Sequence, residues 1–191
     1  FYGAMVAHLR RAYHSQPPQK RNMLPLILLL RETCSHPRAA RKTLEAMGRT
    51  RGKAIIPASS LEQLVQLSQI ERPAKLDLTM GLLVKLEERV IIFTEFKATQ
   101  NALMEACARV GLDAVAYHGG LDRDAKHEAI ERFHQDAQVL VSTQAGGEGH
   151  NLQFCHTLIN YDLPWNPMRL EQRIGRVHRL GQLERVQVFN I

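Results

Sequence analysis

Four polar side chains near the end of the chain share a spacing suited to binding phosphate. At about 100° per residue they fall within an arc of about 80° on one face of a predicted helix that spans residues 166–181. They are Arg169, Gln172, Arg176 and Arg179. Arginine presents a planar, permanently charged fork of donors that matches phosphate oxygens. We therefore expect the row to face an anionic ligand, and the alternative is a face of salt bridges within the protein.

The helix that would carry this row has recognisable ends. Asn166 is a preferred capping residue and Pro167 suits the first helical position, while Gly181 favours the end of the helix. A second row, on a different face, is apolar and consists of Leu170, Ile174 and Val177. We expect this apolar row to pack on a sheet.

Upstream of this helix, short apolar segments alternate with helical patterns. The β-branched run at 90–94 predicts a strand buried on both faces, and it is one of four short segments typical of strands. They are residues 90–94, 114–117, 139–142 and 157–161, and residues 186–191 predict one more strand. Helical patterns precede or separate them, at 75–88, before Gly111 and after the capping residue Asp122. The alternation predicts an α/β fold with a parallel sheet covered on both faces.

Ligands bind at the carboxyl ends of parallel strands, so the segments that follow the predicted strands are candidate binding segments. They are residues 94–97, 118–120, 143–152 and 162–167. Three of the four contain glycine or proline beside a hydroxyl, amide or imidazole group, and glycine lets backbone N–H groups approach an anion. Each segment alone is explained by a tight turn. Four of them at one sheet edge favour a surface that contacts phosphate.

The basic residues are concentrated at the start of the chain. The whole chain has a net charge of +6, but residues 1–53 contain eleven Lys and Arg against two Glu. This segment is predicted to be irregular apart from an apolar helix at 24–31. A basic segment suits a polyanion such as nucleic acid. A solvated, positively charged surface explains the same composition equally well.

Composition and motifs exclude several classes of protein. With 45% hydrophobic and 23% charged residues, the chain is predicted to be globular, neither disordered nor collagen-like. The apolar run 23–30 is too short to cross a bilayer, and the first residues do not resemble a signal peptide. The three cysteines are widely spaced, so a disulfide framework is not expected and no metal site is predicted. No G-x-x-x-x-G-K-[ST] phosphate loop occurs in the sequence.

Residues 172–182, QRIGRVHRLGQ, resemble the terminal helicase motif of superfamily-2 ATPases in its Swi/Snf-type form. Other motifs of that family's C-terminal lobe are matched in the same order by the strand that ends at Thr94, by 118–120, by 146–152 and by 162–167. TCSHP at 33–37 is similar to the segment that enters this lobe. The stretch 164–171, PWNPMRLE, is closer to bacterial members of the family, including the RapA-like proteins.

The resemblance implies the second RecA-like lobe of a DNA-dependent ATPase that translocates on double-stranded DNA. It implies a three-layer α/β fold with a mostly parallel sheet at residues 71–191, after a basic helical or irregular segment at 1–70. The first RecA-like lobe of the same polypeptide would hold ATP and Mg²⁺, so this chain would be part of a longer protein. RNA polymerase is a further expected partner. The implied location is the bacterial cytoplasm, in association with the nucleoid.

The same resemblance assigns roles to individual residues. Arg176 and Arg179, with Gln172, match positions that act on the transferring phosphate. Gly147, Gly149 and Asn151 match the loop that lies against the nucleotide. The expected nucleic-acid contacts are Thr94, Lys97, His118, Gly119, Thr143 and Trp165.

Two positions depart from the family pattern, and two other functions stay open. His150 stands where the family usually has an apolar residue, and Gly175 stands where many eukaryotic remodellers carry an acidic one. One alternative is a superfamily-2 enzyme that separates RNA or DNA strands. The other is a non-catalytic module that binds DNA or a polymerase.

Overall fold

The computed structural model of the chain describes residues 1–15, 23–49, 56–70, 72–143 and 152–191. The chain divides into two compact units, Phe1–Pro73 and Ala74–Ile191. Within the described ranges, no helix is long and apolar enough to cross a membrane.

The N-terminal unit is helical in its described part. Its helices are α1 (Tyr2–Ser15), α2 (Leu24–Ser35), α3 (Pro37–Arg49) and α4 (Ala58–Leu67). The helix predicted at 24–31 lies within α2, whereas the irregular structure expected at 2–15 and 37–49 was wrong. Buried Met5, Leu9 and Ala12 recur at helical spacing in α1, and Arg and Lys are themselves good helix formers. The basic residues thus occupy the solvent faces of helices whose other faces pack together.

The C-terminal unit alternates strands and helices. Its described elements are α5 (Ala74–Lys85), β1 (Val90–Thr94), α6 (Lys97–Arg109), β2 (Ala114–Tyr117), α7 (Arg123–Gln135), β3 (Val139–Thr143), β4 (Thr157–Asn160), α8 (Pro167–Ile174) and β5 (Gln187–Asn190). The strands form one parallel sheet in the order β2-β3-β1-β4-β5. The predicted α/β fold with a parallel sheet is therefore confirmed.

The side chains of β1 alternate between the two faces of the sheet. Ile91 and Phe93 pack into one apolar cluster with α7, while Val90 and Ile92 pack into a second cluster with α5 and α6. All five residues of β1 are buried, because helices cover both faces of this central strand. The layers of helix, sheet and helix hold the carboxyl ends of the strands at one edge.

Helix α8 is much shorter than the sequence predicts. It begins at Pro167 with the Asn166 side chain as its cap, as expected, but it ends at Ile174 rather than at Gly181. The carbonyl of Arg176 accepts a hydrogen bond from the N–H of Leu152 (3.2 Å), and Val177 is fully buried against the sheet. These tertiary contacts replace further turns of helix. The four polar residues inferred to share one helical face therefore do not lie on one continuous helix.

The packing between α7 and the sheet predicts how much stability is lost when a buried side chain is shortened. Phe133 of α7 is fully buried and packs against Phe154, with the two rings tilted at 55° and their centroids 5.4 Å apart. We expect Phe133→Ala to lower the free energy of unfolding by about 3–5 kcal/mol, because it leaves a cavity. Urea unfolding of the chain measures this value. The exposed Leu78 is the control, and Leu78→Ala should change stability by less than about 0.5 kcal/mol. Equal losses for the two variants would contradict the packing described.

Candidate functional site

One carboxylate ties together the ends of β1 and β4. The Oδ2 atom of Asp162 accepts hydrogen bonds from Thr94 Oγ1 (2.6 Å) and from the Glu95 N–H (2.9 Å). Its Oδ1 atom lies 3.7 Å from Lys75 Nζ of α5. Lys75 also lies over the ring of Tyr161, 4.4 Å from its centroid. Asp162 thus fixes where the segment after β4 leaves the sheet.

Arg173 of α8 enters the same network from the other side. Its side chain is 4% exposed, and Nη1 donates to the Asn160 side-chain oxygen (3.0 Å) and to the Asp162 carbonyl (2.6 Å). Burial lowers the pKa of Arg173, while the carboxylates of Glu95 and Asp162 oppose that shift. The guanidinium stays charged, because an arginine does not lose its proton in proteins. It anchors α8 to the end of β4.

Sequence reasoning missed Arg173. The sequence predicted a helix that continues to Gly181, with candidate residues at 169, 172, 176 and 179 on one face. Arg173 does not belong to that face. The available signal was its position beside Ile174 on the side of the helix that packs inward. A charged residue there must find partners within the fold.

Arg176 lies beside the end of β2. It is half-buried, and its positive charge lowers the pKa of Tyr117, although desolvation by burial is larger and raises that pKa overall. Its carbonyl is the atom bonded to Leu152, the first described residue after 144–151. The backbone of Arg176 is therefore attached to the segment that follows β3.

Arg179 and Gln172 are both exposed, and they lie on different pieces of structure. Gln172 is within α8, whereas Arg179 follows it in a turn that the Gln182 side chain braces by donating to the Gln153 carbonyl (2.9 Å) and the Val177 carbonyl (3.1 Å). Arg179 Nε donates to the Gly175 carbonyl (2.8 Å). The two arginines of the motif thus share a braced segment rather than one helical face.

The expected nucleic-acid residues Thr94 and Thr143 are adjacent. They are register partners at the ends of the neighbouring strands β1 and β3, and both are buried. The Thr94 hydroxyl is used by Asp162. The Trp165 side chain is 71% exposed in the segment between β4 and α8.

Lys97 and His118 form a second, basic group at this edge. Partial burial lowers the pKa of both, and the charges of Lys97 and Lys126 lower that of His118 further. These effects favour the neutral form of His118, whose Nδ1 accepts the Gly120 N–H (3.2 Å). Gly119 is exposed in the same turn.

Gln100 is a positioning residue that sequence reasoning also missed. It is fully buried, and its Nε2 donates to the Tyr117 carbonyl (3.0 Å) and the Val141 carbonyl (2.7 Å). Its oxygen accepts from Lys97 Nζ (2.8 Å). Gln100 therefore joins β2, β3 and the lysine at the sheet edge.

The three residues expected at the nucleotide, Gly147, Gly149 and Asn151, lie outside the described residues. Within the described ranges, no group of three or more His, Cys, Asp or Glu side chains is placed to hold a metal ion.

The fold and this edge define a RecA-like helicase lobe. The chain belongs to the helicase conserved C-terminal domain family, whose profile matches residues 74–181. This match and the relatives below confirm the resemblance to the C-terminal lobe of Swi/Snf-type superfamily-2 proteins.

Two curated relatives are bacterial. The chain is 42% identical over 173 residues to the uncharacterized ATP-dependent helicase YqhH of Bacillus subtilis, covering 89% of the chain and 31% of that protein. It is 37% identical over 109 residues to the RNA polymerase-associated protein RapA of Vibrio cholerae, covering 55% of the chain and 11% of that protein. The chain therefore spans less than a third of the length of either relative.

A solved structure has the same fold. The C-terminal part of the Fun30 ATPase domain superposes with a TM-score of 0.70 at 20% sequence identity, covering 99% of this chain and 77% of that one. At this identity the likeness concerns the fold alone.

The buried position of Arg173 predicts a loss of stability when its charge is removed. We expect Arg173→Met, which keeps an apolar stem, to lower the free energy of unfolding by about 2–4 kcal/mol, because two hydrogen bonds to a charged group are lost. Urea unfolding of the chain tests this value. Arg169→Met, at an exposed position of the same helix, should cost less than about 0.5 kcal/mol. If the two variants are equally stable, Arg173 does not anchor α8.

Proposed function

We propose that this chain is the second RecA-like lobe of a Swi/Snf-type ATPase that translocates on double-stranded DNA. The lobe would form one wall of the ATP cleft, and the first RecA-like lobe of the same polypeptide would form the other. The full protein would use the energy of ATP hydrolysis to remodel protein–DNA complexes.

One observation carries the proposal. The segment that contains Arg176 and Arg179, here called the arginine segment, is attached to the segment that follows β3. The Arg176 carbonyl bonds to Leu152, and the turn that contains Arg179 is braced through Gln153. A shift in the segment after β3 would therefore move both arginines. Through this connection, a change at the bound nucleotide would shift the segments that are proposed to contact nucleic acid.

Arg176 and Arg179 are proposed as arginine fingers, with Gln172 beside them. Charge accumulates on the phosphate oxygens as the γ-phosphoryl group transfers, and a guanidinium neutralises it. Gly147, Gly149 and Asn151 are proposed to lie against the nucleotide. Mg²⁺ would be held by the first lobe, and when bound it neutralises charge on the β- and γ-phosphates.

The carboxyl ends of the strands and the segments that follow them are proposed to bind the DNA backbone. The residues assigned to it are Thr94, Lys97, His118, Gly119, Thr143 and Trp165. Because its surroundings favour neutral His118, the charge would come mainly from Lys97, and His118 would act as a hydrogen-bonding group. Contacts of this kind fix the register of the protein without reading sequence.

RNA polymerase is proposed as a partner because one relative is named as a polymerase-associated protein. A bacterial, cytoplasmic and nucleoid-associated location would follow from that partner and from DNA as the substrate.

ATP turnover by the full-length protein tests the proposal. We expect double-stranded DNA to stimulate phosphate release more than single-stranded DNA or RNA does. Stimulation by RNA alone would favour a strand-separating RNA enzyme. A full-length protein without any nucleic-acid-stimulated turnover would support a non-catalytic module.

The 191-residue chain by itself should not hydrolyse ATP. It lacks the phosphate loop that positions the nucleotide, and phosphoryl transfer depends on that positioning. Purified chain with Mg²⁺-ATP and duplex DNA should release phosphate at the rate of the buffer blank. DNA-stimulated turnover that persists through a second purification would contradict this expectation.

Replacing Arg179 should slow catalysis in the full-length protein without unfolding the lobe. We expect Arg179→Ala to lower kcat at least about tenfold, but by less than the ~10³–10⁵ that arginine fingers contribute in GTPases, because Arg176 remains. Arg179→Lys should fail nearly as badly, since a point charge does not replace the fork. The KM for ATP should change little if the contact forms chiefly in the transition state.

The matched control is Arg109→Ala. Arg109 is exposed at the end of α6, at the opposite edge of the sheet from the strand carboxyl ends. This variant should keep wild-type kcat. If both Arg179 variants keep near wild-type kcat, Arg179 is not an arginine finger, and the alternative of a salt-bridge face within the protein is favoured.

A further inference from the structure

Helix α3 of the N-terminal unit has one buried face and one basic face. Ala39, Ala40 and Leu44 are buried among the neighbouring helices. At about 100° per residue, five charged residues lie on the other side, within an arc of about 100°. They are Arg38, Arg41, Lys42, Glu45 and Arg49. Because these apolar residues face the neighbouring helices, the charged residues face away from that packing.

The charge of this face is strongly unbalanced. Four of its five charged residues are basic, and Glu45 pairs with Arg41 (Nε to Oε1, 3.0 Å). Residues 1–73 contain twelve Lys and Arg against four Glu, whereas residues 74–191 contain thirteen Lys and Arg against fifteen Asp and Glu. The excess positive charge thus belongs to the N-terminal unit, and α3 displays a large part of it.

A polar recess adjoins this face. It has a volume of about 250 Å³ and lies between Arg38 and Arg41 of α3 and the residues that follow α4, Ser68, Gln69 and Ile70. Two arginines and a glutamine line it, and side chains of these types carry several hydrogen-bond donors each. Donors of this type around a concave surface suit an anion with several oxygens.

We propose that the α3 face and its recess bind the phosphodiester backbone of a nucleic acid, with a phosphate seated between Arg38 and Arg41. The proposal rests on the proposed function, in which the substrate is duplex DNA. It adds a second contact surface, on the N-terminal unit, to the strand edge of the lobe. Lys42 and Arg49 extend that surface along the helix.

The dimensions of the basic face suit a nucleic-acid backbone. From Arg38 to Arg49 the helix rises about 16 Å. Phosphates of one DNA strand recur about every 3.4 Å along the helix axis, so the face spans several of them. Arginine matches phosphate with a planar fork of donors, which favours a phosphodiester over a diffuse acidic surface.

The test is the salt dependence of duplex binding by the 191-residue chain, measured without ATP on a random-sequence labelled duplex. Each phosphate contact contributes about −0.9 to the slope of log affinity against log salt concentration. We expect Arg38→Gln combined with Arg41→Gln to make the slope less negative by about two units. Loss of the exposed Arg41–Glu45 pair should hardly affect folding, which a thermal melt checks.

The matched control removes the same charge elsewhere in the unit. Arg10 and Arg11 are exposed residues of α1, and Arg10→Gln combined with Arg11→Gln should leave the slope nearly unchanged. Equal changes in both pairs would mean that net charge alone acts, and the proposed site would be wrong. No change in the Arg38/Arg41 variant, or no duplex binding at low salt, would also overturn it. If polyglutamate competes as strongly as unlabelled duplex, the partner of this face is an acidic protein and not a nucleic-acid backbone.

These outcomes are separate from those of the proposed function. Stimulation of full-length ATP turnover by duplex DNA tests the function, whereas the salt slope of the chain tests the α3 face. If duplex DNA stimulates turnover and the slope does not respond to Arg38 and Arg41, only the α3 site fails. If the slope responds and turnover is not stimulated, the site stands and the translocase function fails.

Discussion

The carboxylate of Asp162 is the constraint on which the candidate site depends. Asp162 follows β4, yet its carboxylate accepts hydrogen bonds from the Thr94 hydroxyl at the end of β1 and from the Glu95 N–H. The same carboxylate pairs with Lys75 of α5. The backbone carbonyl of Asp162 accepts a hydrogen bond from the Arg173 side chain of α8. These groups are buried or half-buried, so hydrogen bonds within the fold offset much of their desolvation, while Nε and Nη2 of Arg173 find no hydrogen-bond partner among the described residues. One acidic residue therefore sets the relative positions of two strands and two helices at the functional edge.

The arginine segment inherits its position from this network. Arg173 holds α8, and the chain then leaves the helix to bury Val177 and to bond Leu152 through the Arg176 carbonyl. Arg176 and Arg179 are thus carried by a braced turn between α8 and β5. A side chain in such a turn is oriented before any ligand arrives, which is what electrostatic stabilisation of a transition state requires. Arg179 is exposed, as its proposed contact with a phosphate requires.

Much of the fold could be predicted from the sequence because its signals are local. Apolar β-branched runs identify β1 to β4, and the caps Asp122 and Asn166 start their helices as expected. The end of α8 could not be predicted, since it depends on a hydrogen bond to Leu152, which is distant in sequence. Arg173 and Gln100 were missed for the same reason, because their partners come from other strands. The helices of residues 1–49 were underestimated because many basic residues obscured the apolar spacing.

We propose that this lobe couples ATP hydrolysis to movement along duplex DNA. The most direct measurement is displacement of a third strand from a DNA triplex by the full-length protein, with the duplex strands labelled separately. We expect ATP-dependent release of the third strand while the duplex stays paired, and loss of that release in Arg179→Lys. Separation of the duplex strands, or ATP hydrolysis without release of the third strand, would contradict it.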